Sequence, residues 1–156
     1  EEEVIISEDI LTTNSPNNLE FLSQVAEEVT PEEYGELHKL ETSMLHVMEQ
    51  EGGVGLAAPQ VGLSKRVFIM QPTNGFTLFM ANPVITKSSV MRMKFKEGCL
   101  SIPNKQVTTN RSRQVTIDYI DSFGKEQTIR LGGRDAIVAQ HEIDHLDGIL
   151  MTKYKR

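Results

Sequence analysis

Apolar positions keep two different rhythms along this chain. Leu37, Leu40, Met44 and Val47/Met48 recur at helical spacing and predict an amphipathic helix packed on a core. Thr30-Pro31-Glu32-Glu33 in front of them reads as a capping box, with the threonine hydroxyl toward the Glu33 amide and Pro31 where no N–H is needed. Gly52–Gly53 should stop this helix. Residues 14–18, Asn-Ser-Pro-Asn-Asn, read as a turn-rich loop, so Thr30 opens the first predicted element. From Lys65 onward the rhythm changes. Lys65–Gln71, Thr77–Ile85, Val90–Phe95, Gln114–Asp121 and Glu126–Leu131 are rich in β-branched and aromatic residues and read as strands, with a hairpin turn at Asp121–Lys125. Gly132–Gly133 break the pattern. Ala136–Leu146 is apolar on nearly all sides except at His141, Glu142, Asp144 and His145, which predicts a buried helix ended by Gly148. Strands between two helices, without βαβ alternation, predict an α+β fold.

Composition narrows this picture. The 156 residues suffice for one core, so one domain is expected over residues 1–156. A net charge of −6 argues against a general grip on nucleic acid, and the short basic tail Lys153–Arg156 reads as a solvated terminus. No apolar run approaches the ~20 residues of a membrane span. The acidic start Glu1-Glu2-Glu3 does not resemble a signal peptide, although the missing initiator Met leaves a removed leader open. A single cysteine, Cys99, excludes a disulfide within one chain and suits a reducing compartment.

Candidate chemistry lies in the last helix. His141 and His145 stand one turn apart on one face and can grip one metal ion, with Glu142 beside them. The competing reading is a pair of hydrogen-bonded core histidines, which would need many buried partners. A catalytic site usually has three protein ligands and one open position. Only eleven residues follow His145 and none is His, Glu or Cys, while Asp147 falls on the wrong side of the helix. The third ligand is therefore sought upstream, where Cys99 in Glu97-Gly98-Cys99-Leu100-Ser101 is the candidate; Gly98 allows close approach and Ser101-Ile102-Pro103 should turn the chain away. His38 and His46 lie eight residues apart, about 80° around a helix, and read as surface or core-edge histidines. Gly53–Gln60 forms a small-residue loop ending in an amide donor.

GVGLAAPQ (Gly53–Gln60), EGCLS (Glu97–Ser101) and QHEIDH (Gln140–His145) resemble, in order, the three signature motifs of the peptide deformylases, over roughly Glu36 to Leu150. The resemblance implies hydrolysis of the N-formyl group of the initiator Met of nascent chains, releasing formate. It implies antiparallel sheets around a central helix bearing both histidines. Cys99, His141 and His145 would hold one divalent ion, usually Fe²⁺ with Zn²⁺, Ni²⁺ or Co²⁺ as substitutes, and water would complete the site. Gln60 and the Leu100 N–H would meet the charge developing on the formyl oxygen, and Glu142 would carry the proton. Val54, Gly55 and Gly98 match positions that pair with the peptide backbone, and Val54, Ile137 and Val138 are expected to line the Met pocket. Glu97 is expected to pair with Arg111 and brace the motif loop, against an ordinary surface ion pair.

Two departures from the family pattern stand out. The chain ends soon after the third motif, which suggests a compact member, such as one from a phage, and puts ribosome docking in doubt. Arg134 places a charge near the expected approach to the pocket, or else faces solvent at the helix start. The expected setting is a bacterial or host cytoplasm, with organellar origin open; the expected partners are formyl-Met peptides, without nucleic acid or membrane, and the expected state is a monomer. Two other readings stay open at the level of sequence: a metalloprotease cutting internal bonds, for which a downstream third ligand is missing, and a non-catalytic metal domain, which would usually need four protein ligands.

Overall fold

The computed structural model describes residues 6, 7 and 9–154; Lys155 and Arg156 of the basic tail lie outside the described residues, as does Glu1–Glu3. Among the described residues three α-helices, α1 (Pro16–Leu22), α2 (Leu37–Gln50) and α3 (Arg134–Leu146), are combined with seven strands. These are β1 (Gly55–Ala57), β2 (Val67–Met70), β3 (Leu78–Ser88), β4 (Arg92–Cys99), β5 (Ile102–Ser112), β6 (Gln114–Ile120) and β7 (Glu126–Gly132). One antiparallel sheet runs β1-β2-β3-β6-β7, and β4 pairs with β5 as a separate two-stranded hairpin. The α+β architecture with the histidine-bearing helix against antiparallel sheets agrees with the expectation.

Strand periodicity explains how α2 and α3 share one sheet. Side chains alternate across a strand, so Val67 and Ile69 face one side of β2 and Phe68 and Met70 the other. The first pair packs with Leu40, Met44 and Val47 of α2. The second packs with Ala136, Ala139, Ile143 and Leu146 of α3, joined by Met80, Val115 and Ile117. All four residues of β2 are fully buried, which is why this strand reads as a continuous apolar run. A third cluster, Leu22, Ile102, Val107, Leu150 and Met151, seats α1 and the C-terminal turn beneath the hairpin.

The structure corrects several local expectations. Residues 14–18 are not a loop throughout: Ser15 precedes α1 and Pro16 occupies its first turn, where the missing N–H costs nothing. The Thr30 box is one-sided. Glu33 Oε1 accepts from the Thr30 N–H (3.0 Å) and hydroxyl (3.1 Å), while the Glu33 N–H bonds the Thr30 carbonyl (2.9 Å). A 3₁₀ turn, Pro31–Glu36, then leads into α2. The largest miss is β5. The reversal occurs at Leu100–Ser101, and Pro103 lies inside an eleven-residue strand rather than ending one. His38 and His46 are exposed on α2, as expected, and His38 stacks on Phe123 with ring centroids 5.5 Å apart.

Candidate metal and active site

Three elements converge on α3 to build the site. Arg66 fixes the C-terminal end of this helix by donating to the Leu146 carbonyl (2.9 Å) and Asp147 (2.7 Å). Gln140 fixes the middle, accepting from the Ser112 N–H (3.2 Å) and donating to the Ser112 carbonyl (2.8 Å). Gly148, with φ of 72°, lets the chain leave the helix directly against the Ser23 and Gln24 backbone, where any side chain would collide. The helix is thereby held in rotation and position, and His141, Glu142 and His145 are all buried.

The hairpin delivers Cys99 to this helix. The Cys99 Sγ lies 3.3 Å from His145 Nε2, and one donor atom from each of Cys99, His141 and His145 lies within 4.8 Å of the other two. Bond lengths of about 2.3 Å to sulfur and 2.1 Å to nitrogen at a tetrahedral angle separate such donors by about 3.6 Å. The cluster therefore fits one ion with little movement. The outer contact fits as well: His141 Nδ1 lies 2.7 Å from Glu97 Oε1, which leaves Nε2 free as a ligand. His145 Nδ1, in contrast, is buried without a hydrogen-bond partner among the described residues.

Behind the ligands runs a chain of buried charges. Arg111 grips Glu97 through Nε (2.6 Å) and Nη2 (3.0 Å), and reaches Asp144 on α3 through Nη1 (2.8 Å). The Thr109 hydroxyl donates to Glu97 Oε2. Glu97 and Arg111 are 5% and 4% exposed, so the pair braces the site and is not a surface ion pair. Burial works against the Glu97 carboxylate, but hydrogen bonds from His141, Arg111 and Thr109 win and hold its pKa at about 2. Burial likewise works against a charged His141, yet contacts with Cys99 and Glu97 raise its pKa to about 10. His145 goes the other way: burial first, then the neighbouring charges of His141 and Arg111, push it well below the ordinary imidazole value.

Glu142 stands beside the ligand cluster without belonging to it. Burial lifts its pKa to about 7, and Oε1 has no hydrogen-bond partner among the described residues. Gly55 makes room for it: a Cβ there would sit 2.5 Å from Glu142 Oε2. Gln60 is equally buried. Its Oε1 accepts from the Ala57 N–H (3.0 Å), which turns Nε2 toward Ser101 Oγ (3.1 Å) and Cys99 Sγ (3.7 Å). A cleft of about 1030 Å³ opens over this floor. Val54, Gly55, Gln60, Gly98, Cys99, Leu100, Ile137, Val138, His141 and Glu142 all line it; of the residues read from the motifs, His145 lies behind the surface. Arg134 does both things considered for it: it is exposed at the start of α3 and it lines the cleft. Sequence reasoning gave no task to Ser101, Thr109, Gln140 or Asp144. Only Asp144 left a signal, as an acid one turn from His141 on the same helix.

A half-buried cysteine and two buried histidines beside a buried glutamate, open to a peptide-sized cleft, define a metal-dependent hydrolase. The polypeptide deformylase family model matches residues 8–155. A peptide deformylase from Fusobacterium nucleatum is 39% identical over 135 residues, covering 86% of this chain and 78% of that protein. The crystal structure of peptide deformylase from Thermotoga maritima superposes with a TM-score of 0.87 at 35% identity, over 96% of this chain and 98% of that one. The Met-Ala-Ser-bound class I type b enzyme from Acinetobacter baumannii gives a TM-score of 0.86 at 30% identity, over 98% and 99%. The chain belongs to the peptide deformylase family, whose activity is removal of the N-formyl group from nascent peptides. No described helix is long and apolar enough to cross a membrane.

Proposed function

We propose that this chain deformylates N-formyl-Met peptides in the cleft above Cys99, His141 and His145, with Glu142 as proton carrier. The convergence of those three donors within 4.8 Å, with Cys99 and His141 on the cleft lining and His145 behind it, carries the reading. The three residues would hold one divalent ion; a thiolate with two imidazoles admits the softer and borderline ions, Zn²⁺, Ni²⁺ and Co²⁺ included, and the family resemblance alone puts Fe²⁺ first. Such an ion supplies Lewis acidity, lowering the pKa of water from 15.7 to near ~7 and polarising a carbonyl.

The chain's own residues do the rest. The peptide enters extended, adding its backbone beside Val54, Gly55 and Gly98, and the Met side chain enters the apolar wall of Ile137 and Val138. A Cβ at Gly98 would meet only the Lys105 carbonyl, at 4.0 Å, so that face of β4 is left clear for the peptide. Water adds to the formyl carbon and gives its proton to Glu142, whose buried carboxylate has a proton affinity matched to neutral pH. Negative charge gathers on the formyl oxygen, where Gln60 Nε2 and the Leu100 N–H donate. The C–N bond breaks, Glu142 returns the proton to the departing amine, and formate leaves.

The test is an anaerobic incubation of the Fe²⁺- or Ni²⁺-loaded protein with formyl-Met-Ala-Ser. Formate with an intact peptide chain is expected. Internal cleavage without formate would transfer the site to the protease reading.

A further inference from the structure

The rim of the cleft carries a charge opposite to that of the chain. The sequence has a net charge of −6, yet Lys96, Lys105 and Arg134 all line the cleft and all are exposed. None of the three forms a side-chain hydrogen bond or ion pair among the described residues, whereas Lys65, Arg66 and Arg111 each hold a carboxylate. The only carboxylates on the lining are Glu97 and Glu142, and both are buried, Glu97 against Arg111. Nothing acidic on the lining therefore offsets the rim.

The placement of these cations matches an extended peptide. Lys96 and Gly98 share one face of β4, two residues or about 6.6 Å apart, and Gly98 faces Gln106, the neighbour of Lys105, across the hairpin. Arg134 lines the cleft from α3, one turn before Ile137 and Val138. A peptide strand paired at Gly98 with its Met against Ile137 advances about 3.3 Å per residue, so its second and third side chains pass along this lining. Three unpaired cations on one cleft lining act on a charge held there, screened over about 8 Å at physiological salt.

We infer that the cleft selects formyl peptides with acidic side chains at the second and third residues, and that Lys96, Lys105 and Arg134 determine this specificity. The inference rests on the deformylase reading above. The peptides are compared as C-terminal amides, so that side chains supply the only carboxylates. At about 20 mM salt, kcat/KM for formyl-Met-Glu-Glu-amide is expected to exceed that for formyl-Met-Lys-Lys-amide about tenfold, chiefly through KM, and the ratio is expected to collapse near about 0.5 M salt. Lys96→Glu/Lys105→Glu is expected to reverse the order. Arg134→Glu, made separately, is expected to shrink the ratio and serves if the double variant fails to fold. Formyl-Met-Ala-Ser-amide is the uncharged reference. No formate from it would sink the reading of the site itself. Formate from it with equal rates on the two charged peptides would overturn the selection alone. Equal peptide rates, with salt-sensitive co-sedimentation on ribosomes lost in the double variant, would also overturn it and give the rim to RNA.

Discussion

The five-stranded sheet and the β4–β5 hairpin hold α3 from different sides and by different physics. On the sheet side, apart from Arg66 at the end of the helix, the contacts are apolar: Phe68, Met70 and Met80 cluster with Ala139, Ile143 and Leu146. On the hairpin side they are ionic and hydrogen-bonded: Glu97 meets His141, and Arg111 meets Asp144. Apolar packing fixes where the helix lies but is indifferent to protonation. The charged side sets which nitrogen of His141 is free and how each buried group titrates. His141 and His145, one turn apart, show the result: contacts with Cys99 and Glu97 raise the first pKa against burial, while burial and the charges of His141 and Arg111 lower the second. The sheet is expected to govern stability alone, and the hairpin to govern stability and chemistry together.

The sharpest separation should come from residues on neither side of that divide. Glu142→Ala removes the proposed proton carrier without removing one of the three clustered donors, and is expected to lower kcat about 10²–10⁴-fold with metal content and melting temperature retained. Near-normal turnover with metal bound would strike Glu142 from the reaction. Gln60→Leu is expected to cost about 10²–10³ in kcat, as for loss of one donor to a developing oxyanion. A change confined to KM would place Gln60 in binding only.

Glu97→Ala tests the charged side directly. It leaves Arg111 with Asp144 alone and frees the His141 ring, so a loss of up to about 3–5 kcal/mol of stability and a 10–100-fold loss of metal affinity are expected together. Competition with a chelator and urea unfolding read the two effects. Loss of stability with unchanged metal affinity would mean that the network is a scaffold only. Met80→Ala is the apolar counterpart. Its side chain is fully buried between sheet and α3, and the expected loss is about 2–5 kcal/mol, with metal affinity and kcat of the folded protein near wild type. A matching fall in metal affinity would erase the distinction between the two sides.

The same contrast explains what the sequence disclosed. The sheet side was legible because apolar side chains keep a period: β2 reads as VFIM and α2 as a stripe of leucines and methionines. The metal ligands were legible because their types and spacing match a known family pattern, and the family in turn assigned roles to Gln60 and Glu142. β5 was not legible. Its inward positions include Thr109 and Arg111, buried because they serve Glu97, so the strand shows no apolar alternation, and Pro103 near its start looks like a terminator. α1 hid behind Ser15-Pro16-Asn17-Asn18, residues that favour turns and helix starts alike. Gly55 was read for its backbone, but the structure adds that its missing side chain is the space Glu142 occupies.

The smallest expected effect is the pH signature of the charged side. The Glu97 pKa lies at about 2 in the folded protein against an ordinary 4.5. A carboxylate lowered by folding contributes stability that is fully present above its unfolded pKa and fades as pH falls toward its folded one. Glu97→Gln imitates the protonated side chain. In chelator-treated protein, the gap in urea midpoint between wild type and Glu97→Gln is therefore expected to be widest above about pH 5 and to close as pH falls from about 4.5 toward about 2. Met80→Ala, which changes no titrating group, should keep a constant gap over the same range. A Glu97→Gln gap as flat as that of Met80→Ala would show that the buried carboxylate holds α3 by shape, and the hairpin side would then differ from the sheet side in composition but not in kind.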